Sequence, residues 1–197
     1  MPPRPGLDTQ MILTVAAHIA DELDVDQMTL NTLAEHLGVK TPSLYNHISG
    51  LSDLRQKLAV YALQELSGRL AEAAIGKSKD DALRAIIYAH RTFVEERPGL
   101  YEALCRCKTP SNPAIQNAVE RLKAIIGKIL EPYNLQEDQL SQIIKIVRSM
   151  VHGFVTLRSV GSFGGPSDPS LDPDNSFELM VDIFFAGFHQ MVDPPKE

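Results

Sequence analysis

Residues Thr29 to His47 read TLNTLAEHLGVKTPSLYNH, and the spacing in this stretch decides the fold. Leu30, Leu33, Ala34 and Leu37 recur at helical intervals, and Gly38 follows at once, where a left-handed residue ends a helix. Thr29 stands at the N-cap of that segment. A second short helix opens with Thr41 as N-cap and Pro42 at the first helical position, where proline gives up no hydrogen bond, and reaches about His47. Two short helices joined through Gly38-Val39 make a helix-turn-helix. Ala34 must be small for the helices to approach, while Leu33, Leu37, Val39 and Leu44 pack the angle between them.

Upstream, a first helix starts near Asp8 or Thr9 and buries Ile12, Val15, Ala16, Ile19 and Leu23 before the acidic residues 24–26. Downstream of Ser49-Gly50, Leu51, Leu54, Leu58, Tyr61, Ala62, Leu66 and Leu70 form one stripe along a longer fourth helix, with Arg55, Lys57 and Glu65 at its exposed positions. Residues 74–79 mark a boundary, and further helices are predicted at about 81–96, 98–107, 113–130, 136–159 and 174–191. The Gly-, Pro-, Ser- and Asp-rich residues 161–173 predict a flexible loop and residues 192–197 a frayed tail. Strand-type alternation is absent, so the expected fold class is all-α. We read a helix-turn-helix head at 1–50, a linking helix at about 51–70 and a larger helical bundle at 71–197.

A chain of 197 residues, 44% hydrophobic, can bury a substantial core. Its net charge of −6 argues against a protein that coats nucleic acid indiscriminately. Residues 1–70 carry five Lys or Arg and eight Asp or Glu, a weak electrostatic footprint that still leaves room for a small reading head. No segment has the length and apolarity of a signal peptide or membrane span, so the expected compartment is the cytoplasm. Cys105 and Cys107 point to different sides of a helix and read as reduced thiols. The six His residues lack metal-site spacing, and no Gly-rich phosphate loop follows a strand. An enzyme is therefore disfavoured, and no cofactor or metal is expected.

The motif resembles that of the TetR family, which places a Thr before the second helix, then Leu-Ala, Gly-Val, and a short third helix with Leu-Tyr and a His. Thr29, Leu33-Ala34, Gly38-Val39, Leu44-Tyr45 and His47 stand in that register, and the likeness covers residues 8 to about 70. Val151-His152-Gly153-Phe154, with the Gly-rich loop and the helix around Phe177 to Phe188, resembles the C-terminal domain of the His-Gly (WHG-type) subgroup. The resemblance implies that helix three enters the major groove. Thr41, Ser43, Asn46 and His47 would then meet base edges or phosphates, and Tyr45 a phosphate through its hydroxyl. Thr29 would bind a phosphate through its hydroxyl and N–H, and Lys40, the one Lys or Arg in the motif, is the leading charge contact. Beside these stand plainer readings, with Tyr45 and His47 as packing residues against helix four and Thr29 and Thr41 as caps alone. Leu51 replaces the usual basic residue after helix three, and Asn31 an Arg often found in helix two. Each phosphate contact contributes roughly 0.9 to the slope of log K against log salt, so a shallow salt dependence follows unless Arg4 and its arm contribute.

In the C-terminal part, Ile143, Ile144, Val147, Val151, Phe154 and Val155 form one stripe, and Phe177, Met180, Val181, Phe184, Phe185 and Phe188 another. They read either as intrachain core or as the four-helix interface of a homodimer. A homodimer suits the motif, since one helix-turn-helix reads half a site and two-fold symmetry spaces two of them about 34–36 Å apart. The resemblance further implies an effector cavity among helices four to eight. Its candidate walls are His90, Tyr101, Arg148 and His152, set among Phe93, Leu104, Ile126 and Phe154. His152-Gly153 also reads as a structural His bonding a carbonyl beside a Gly that permits close helix contact. A small-molecule effector, of a kind the residues do not specify, would shift helix four through residues 98–107 and change the spacing of the recognition helices. The resulting expectation is a ligand-responsive repressor that binds palindromic double-stranded operator DNA as a homodimer. The rival is a helical adaptor with a degenerate helix-turn-helix.

Overall fold

The computed structural model describes residues 7–23, 25–107, 112–163 and 172–192, without the side chain of Pro173. Its helices are α1 (Thr9–Leu23), α2 (Leu30–Leu37), α3 (Thr41–Leu44), α4 (Leu51–Ala74), α5 (Lys79–Glu96), α6 (Pro98–Arg106), α7 (Pro113–Leu130), α8 (Glu137–Ser159) and α9 (Pro173–Val192), with a 3-10 turn at Glu131–Tyr133. Among the described residues there is no strand, and the fold is all-α as periodicity required. Arg4, the middle of the loop expected at 161–173 and the end of the tail lie outside the described residues.

Local chemistry sets the helix ends. Asp8 caps α1, its Oδ1 accepting the Met11 N–H at 2.6 Å. Leu23, expected in the core, is instead 39% exposed at the last position of α1, and Leu13, Ala17 and Ala20 share the inward face with Ile12, Ala16 and Ile19. Gly38 adopts φ 65°, and the N–H groups of Gly38 and Val39 bond back to Glu35 and Ala34 carbonyls, closing α2 as the sequence predicts.

The chain forms two compact units, one of residues 1–68 with 93–122 and one of residues 69–92 with 123–197. In the first, Ile12, Leu33, Leu44, Ile48, Leu54 and Leu58 are buried, and a further cluster joins Leu63, Ile115 and Ala118 to Val60, Leu104 and Val119. Each fully buried aliphatic side chain of this kind stabilises the fold by roughly 1.5–3 kcal/mol. Here α6 lies against α1 so closely that a Cβ on Gly99 would overlap the backbone of Ala20.

The second unit is organised around aromatic rings. Phe177 meets Tyr88 edge-on at 5.3 Å and Phe154 at 4.9 Å. The Arg91 guanidinium lies over the Phe177 ring at 4.6 Å and pairs with Asp174, which also accepts from Arg158 at 2.9 Å. Ile143, Val151, Phe154 and Val155 of α8 and Phe177, Val181, Phe185 and Phe188 of α9 are buried within the chain. The two stripes considered for a dimer interface are thus mainly intrachain core, because the α8–α9 pair packs them inward. Each helix carries a second apolar row on its outer side. On α8 and its C-cap this row is Ile146, Met150, Gly153, Leu157 and Val160, and on α9 it is Leu179, Ile183, Gly187 and Met191. Its exposed members Ile146, Leu157, Val160, Leu179, Ile183 and Met191 are 37–70% accessible.

Candidate nucleic-acid interface

The helix-turn-helix is held by its apolar elbow. Leu33, Ala34 and Leu44 are buried, and small Ala34 lets α2 and α3 meet. Thr29 is the N-cap of α2, its Oγ1 accepting the Thr32 N–H at 3.1 Å, an arrangement worth about 1 kcal/mol. Its side chain remains at the surface, so capping and outward contact coexist there.

The cap of α3 differs from expectation. Lys40, with no side-chain bond, occupies the N-cap, and Thr41 is already helical. The Thr41 hydroxyl donates instead to Asn31 Oδ1 at 2.9 Å, tying α3 to the start of α2. The regular helix ends at Leu44 rather than near His47. Residues 45–47 continue as a turn in which the N–H groups of His47 and Ile48 both bond to the Leu44 carbonyl.

Around the buried Leu44, the predicted contact residues spread by exposure. Tyr45 is 57% exposed, which overturns the reading of it as a packing residue, and Asn46 and Lys40 are also exposed. Thr41, Ser43 and His47 are half-buried at the edges of this face. Lys40 has no ion-pair partner among the described residues. The nearby cations of α4 are committed, Arg55 to Asp26 at 3.9 Å and Lys57 to Asp53 at 2.7 Å.

Two groupings escaped the sequence reading. Lys57 Nζ also donates to the His47 carbonyl at 2.8 Å, and Asp53 Oδ2 accepts the Ser49 N–H at 2.8 Å, so α4 grips the end of the turn that follows α3. Burial pushes the Asp53 carboxyl upward, but the bonds from Lys57 and Ser49 outweigh it and hold the pKa below its ordinary value. The i,i+4 spacing of Asp53 and Lys57 was a visible signal; the reach to His47 was not. Farther along, Arg97 Nε donates to Asp21 Oδ2 at 2.6 Å and its Nη1 to both Glu65 oxygens at 2.8 and 2.9 Å. Asp21 Oδ1 accepts the Leu100 N–H at 2.9 Å, capping the first turn of α6 from another helix. Burial opposes the Arg97 charge, but Asp21 and Glu65 outweigh it and raise the pKa.

The predicted effector residues fall in both units. In the first, Phe93 and Tyr101 are buried as an edge-to-face pair at 6.4 Å, and Leu104 is half-buried. In the second, His90 and Phe154 are buried and Ile126 is half-buried, whereas Arg148 and His152 stand at exposed positions of α8. Burial, with the nearby charges of Arg148 and His152, pushes the His90 pKa down to about 4, so this imidazole is neutral near pH 7. Around Gly153 the chain leaves open space, so this Gly serves no close contact within the chain. A groove of about 400 Å³, lined in part by Gly127, Lys128, Glu131, Asn134 and Leu140, contains none of the predicted effector residues.

Comparison with known proteins agrees with this architecture. Residues 83–184 match the family model of the tetracyclin repressor-like C-terminal domain. The chain is 32% identical over 169 residues to the uncharacterized HTH-type transcriptional regulator YobS of Bacillus subtilis, covering 85% of this chain and 87% of that one. It is 30% identical over 185 residues to the uncharacterized HTH-type transcriptional regulator Rv0681 of Mycobacterium tuberculosis, covering 93% and 83%. A solved TetR variant from Acinetobacter baumannii, in complex with minocycline, superposes with a TM-score of 0.70 at 20% identity, covering 95% of this chain and 99% of that one. The Bacillus and Mycobacterium relatives are named as regulators of transcription. With a helix-turn-helix at one end and the matched C-terminal domain at the other, the chain belongs to the TetR family of DNA-binding transcriptional regulators.

Proposed function

We infer that this regulator is a ligand-responsive repressor that binds a palindromic operator as a homodimer and acts in the cytoplasm, where its DNA is. The observation that carries the reading is the face around Leu44. The apolar anchor is fully buried while Lys40, Tyr45 and Asn46 project from the same short segment, so a duplex meets polar side chains on a rigid support. Thr29, Thr41, Ser43 and His47 flank it, and occupation of promoter DNA blocks polymerase. The head is residues 1–50, with helix four leading into an effector-binding and dimerisation part at 71–197.

The outer rows of α8 and α9 support the homodimer. A row of Leu, Ile and Val broken by Gly153 and Gly187, neither of which faces any atom a Cβ would meet, suits close approach of a second copy in a four-helix interface. The expected consequence of Ile183→Glu is a shift from dimer to monomer in sedimentation at micromolar concentration, with at least a tenfold loss of operator affinity. A dimer that survives this change removes the interface.

The structural relative holding minocycline supports an effector site in this chain. His90, Phe93, Tyr101, Leu104, Arg148, His152 and Phe154 are its candidate contacts, and α6, fastened to α1 and α4 through Arg97, is the relay to the head. Titrating the promoter region beside the chain's own gene, with wild-type protein and with Lys40→Ala and Asn46→Ala, tests the whole reading. Sequence-selective binding weakened by both variants is expected; no selective binding at low salt sinks it.

A further inference from the structure

The geometry points to Lys57 as a positioning residue for operator reading, one that aims the recognition turn from behind and does not itself touch DNA. This inference rests on the regulator reading above. The recognition element is short: one turn of α3 and the three-residue turn after it. Carbonyls at such a C-terminal end have no helical N–H to accept from, and they carry the negative end of the local dipole. Lys57 Nζ meets the His47 carbonyl at 2.8 Å and Asp53 Oδ2 at 2.7 Å. The same Asp53 oxygen holds the Ser49 N–H at 2.8 Å. One ammonium and one carboxylate therefore bind both backbone groups that flank the buried Ile48, fixing where the chain leaves the recognition turn and where α4 begins.

Charge-assisted bonds of this kind are roughly twice as strong as neutral ones. Tyr45 and Asn46, exposed residues of the reading face, stand within two residues of the gripped carbonyl, so releasing it alters their aim more than their existence. Lys57 is half-buried and its ammonium is held by a backbone carbonyl and a carboxylate, which separates it from Lys40, whose ammonium has no ion-pair partner among the described residues. A phosphate contact and a positioning role make opposite predictions for salt. Removing a phosphate contact lowers the salt slope by about 0.9, whereas removing a positioning residue leaves the slope unchanged.

The test uses the full chain and the duplex that the wild-type protein selects from a random-sequence pool. Binding is followed by fluorescence anisotropy over a salt series for wild type, Lys57→Gln, Lys57→Arg and Asp53→Asn, against the selected duplex and a base-scrambled copy. For Lys57→Gln we expect about a tenfold loss on the selected duplex, an unchanged salt slope, and a much smaller loss on the scrambled one, so that discrimination shrinks. Asp53→Asn should move the same way, and Lys57→Arg should recover most of the loss. A slope lowered by about 0.9 overturns the inference in favour of a direct phosphate contact. An equal loss on both duplexes, or no loss, overturns it as well. If the wild-type protein selects no duplex, the regulator reading itself fails at that earlier step and takes this inference with it.

Discussion

Two basic side chains, half-buried Arg97 in one unit and buried His90 in the other, have met opposite fates. Arg97 is set among carboxylates: Asp21 and Glu65 receive its donors, all three side chains are 15–19% exposed, and its charge is held. His90 is set near the bases Arg148 and His152, and burial has pushed its pKa down to about 4. Burial opposes charge in both places, and the neighbours decide the outcome. The charged one fastens α1 and α4 to the start of α6; the neutral one sits uncharged near pH 7.

The comparison breaks most visibly at Arg97. Replacing it with Met leaves two carboxylates facing each other in a confined space, and a loss of roughly 3–5 kcal/mol in urea unfolding is expected. A loss below 1 kcal/mol makes the cluster ornamental. At His90 the expected effect is smaller and depends on pH. The unfolded chain takes up a proton there near pH 6.5 and the folded chain only near 4, so between these values the unfolded state binds more protons and stability falls as pH falls. Roughly 2–3 kcal/mol should disappear between pH 7.5 and 4.5, and His90→Gln should flatten that part of the profile. A wild-type profile that is flat over this window contradicts the neutral buried imidazole. The smallest effect belongs to Arg106, which pairs with Asp26 at 2.6 Å and with Glu102 at 2.5 Å on the surface, with side chains 38–63% exposed. Arg106→Ala should leave the urea unfolding midpoint almost unchanged, with any difference shrinking further in high salt.

How much of this could be read from the chain alone follows from the range of each interaction. The Thr29 cap, the Gly38 stop and the small Ala34 are local consequences of a contiguous pattern, and they stand where the spacing put them. Thr41 escaped because its hydroxyl found Asn31, ten residues away, a better partner than the adjacent backbone. Arg97 meets Asp21 across 76 positions, and no periodicity marks such a pair. The α8 and α9 stripes stayed open to two readings for another reason: each helix is apolar on two sides, and periodicity reports that a stripe exists but not which way it faces. The exposure of Arg148 and His152 was hidden by the same ambiguity.

Asp21 has one oxygen on Arg97 and the other on the Leu100 amide. Withdrawing the first turn of α6 therefore breaks both bonds together, and neither helix can loosen by degrees while the other keeps its partner. A displacement of α6 at this joint would therefore be cooperative, closer to a snap fastener than to a sliding hinge, and partial displacements are the states this carboxylate penalises.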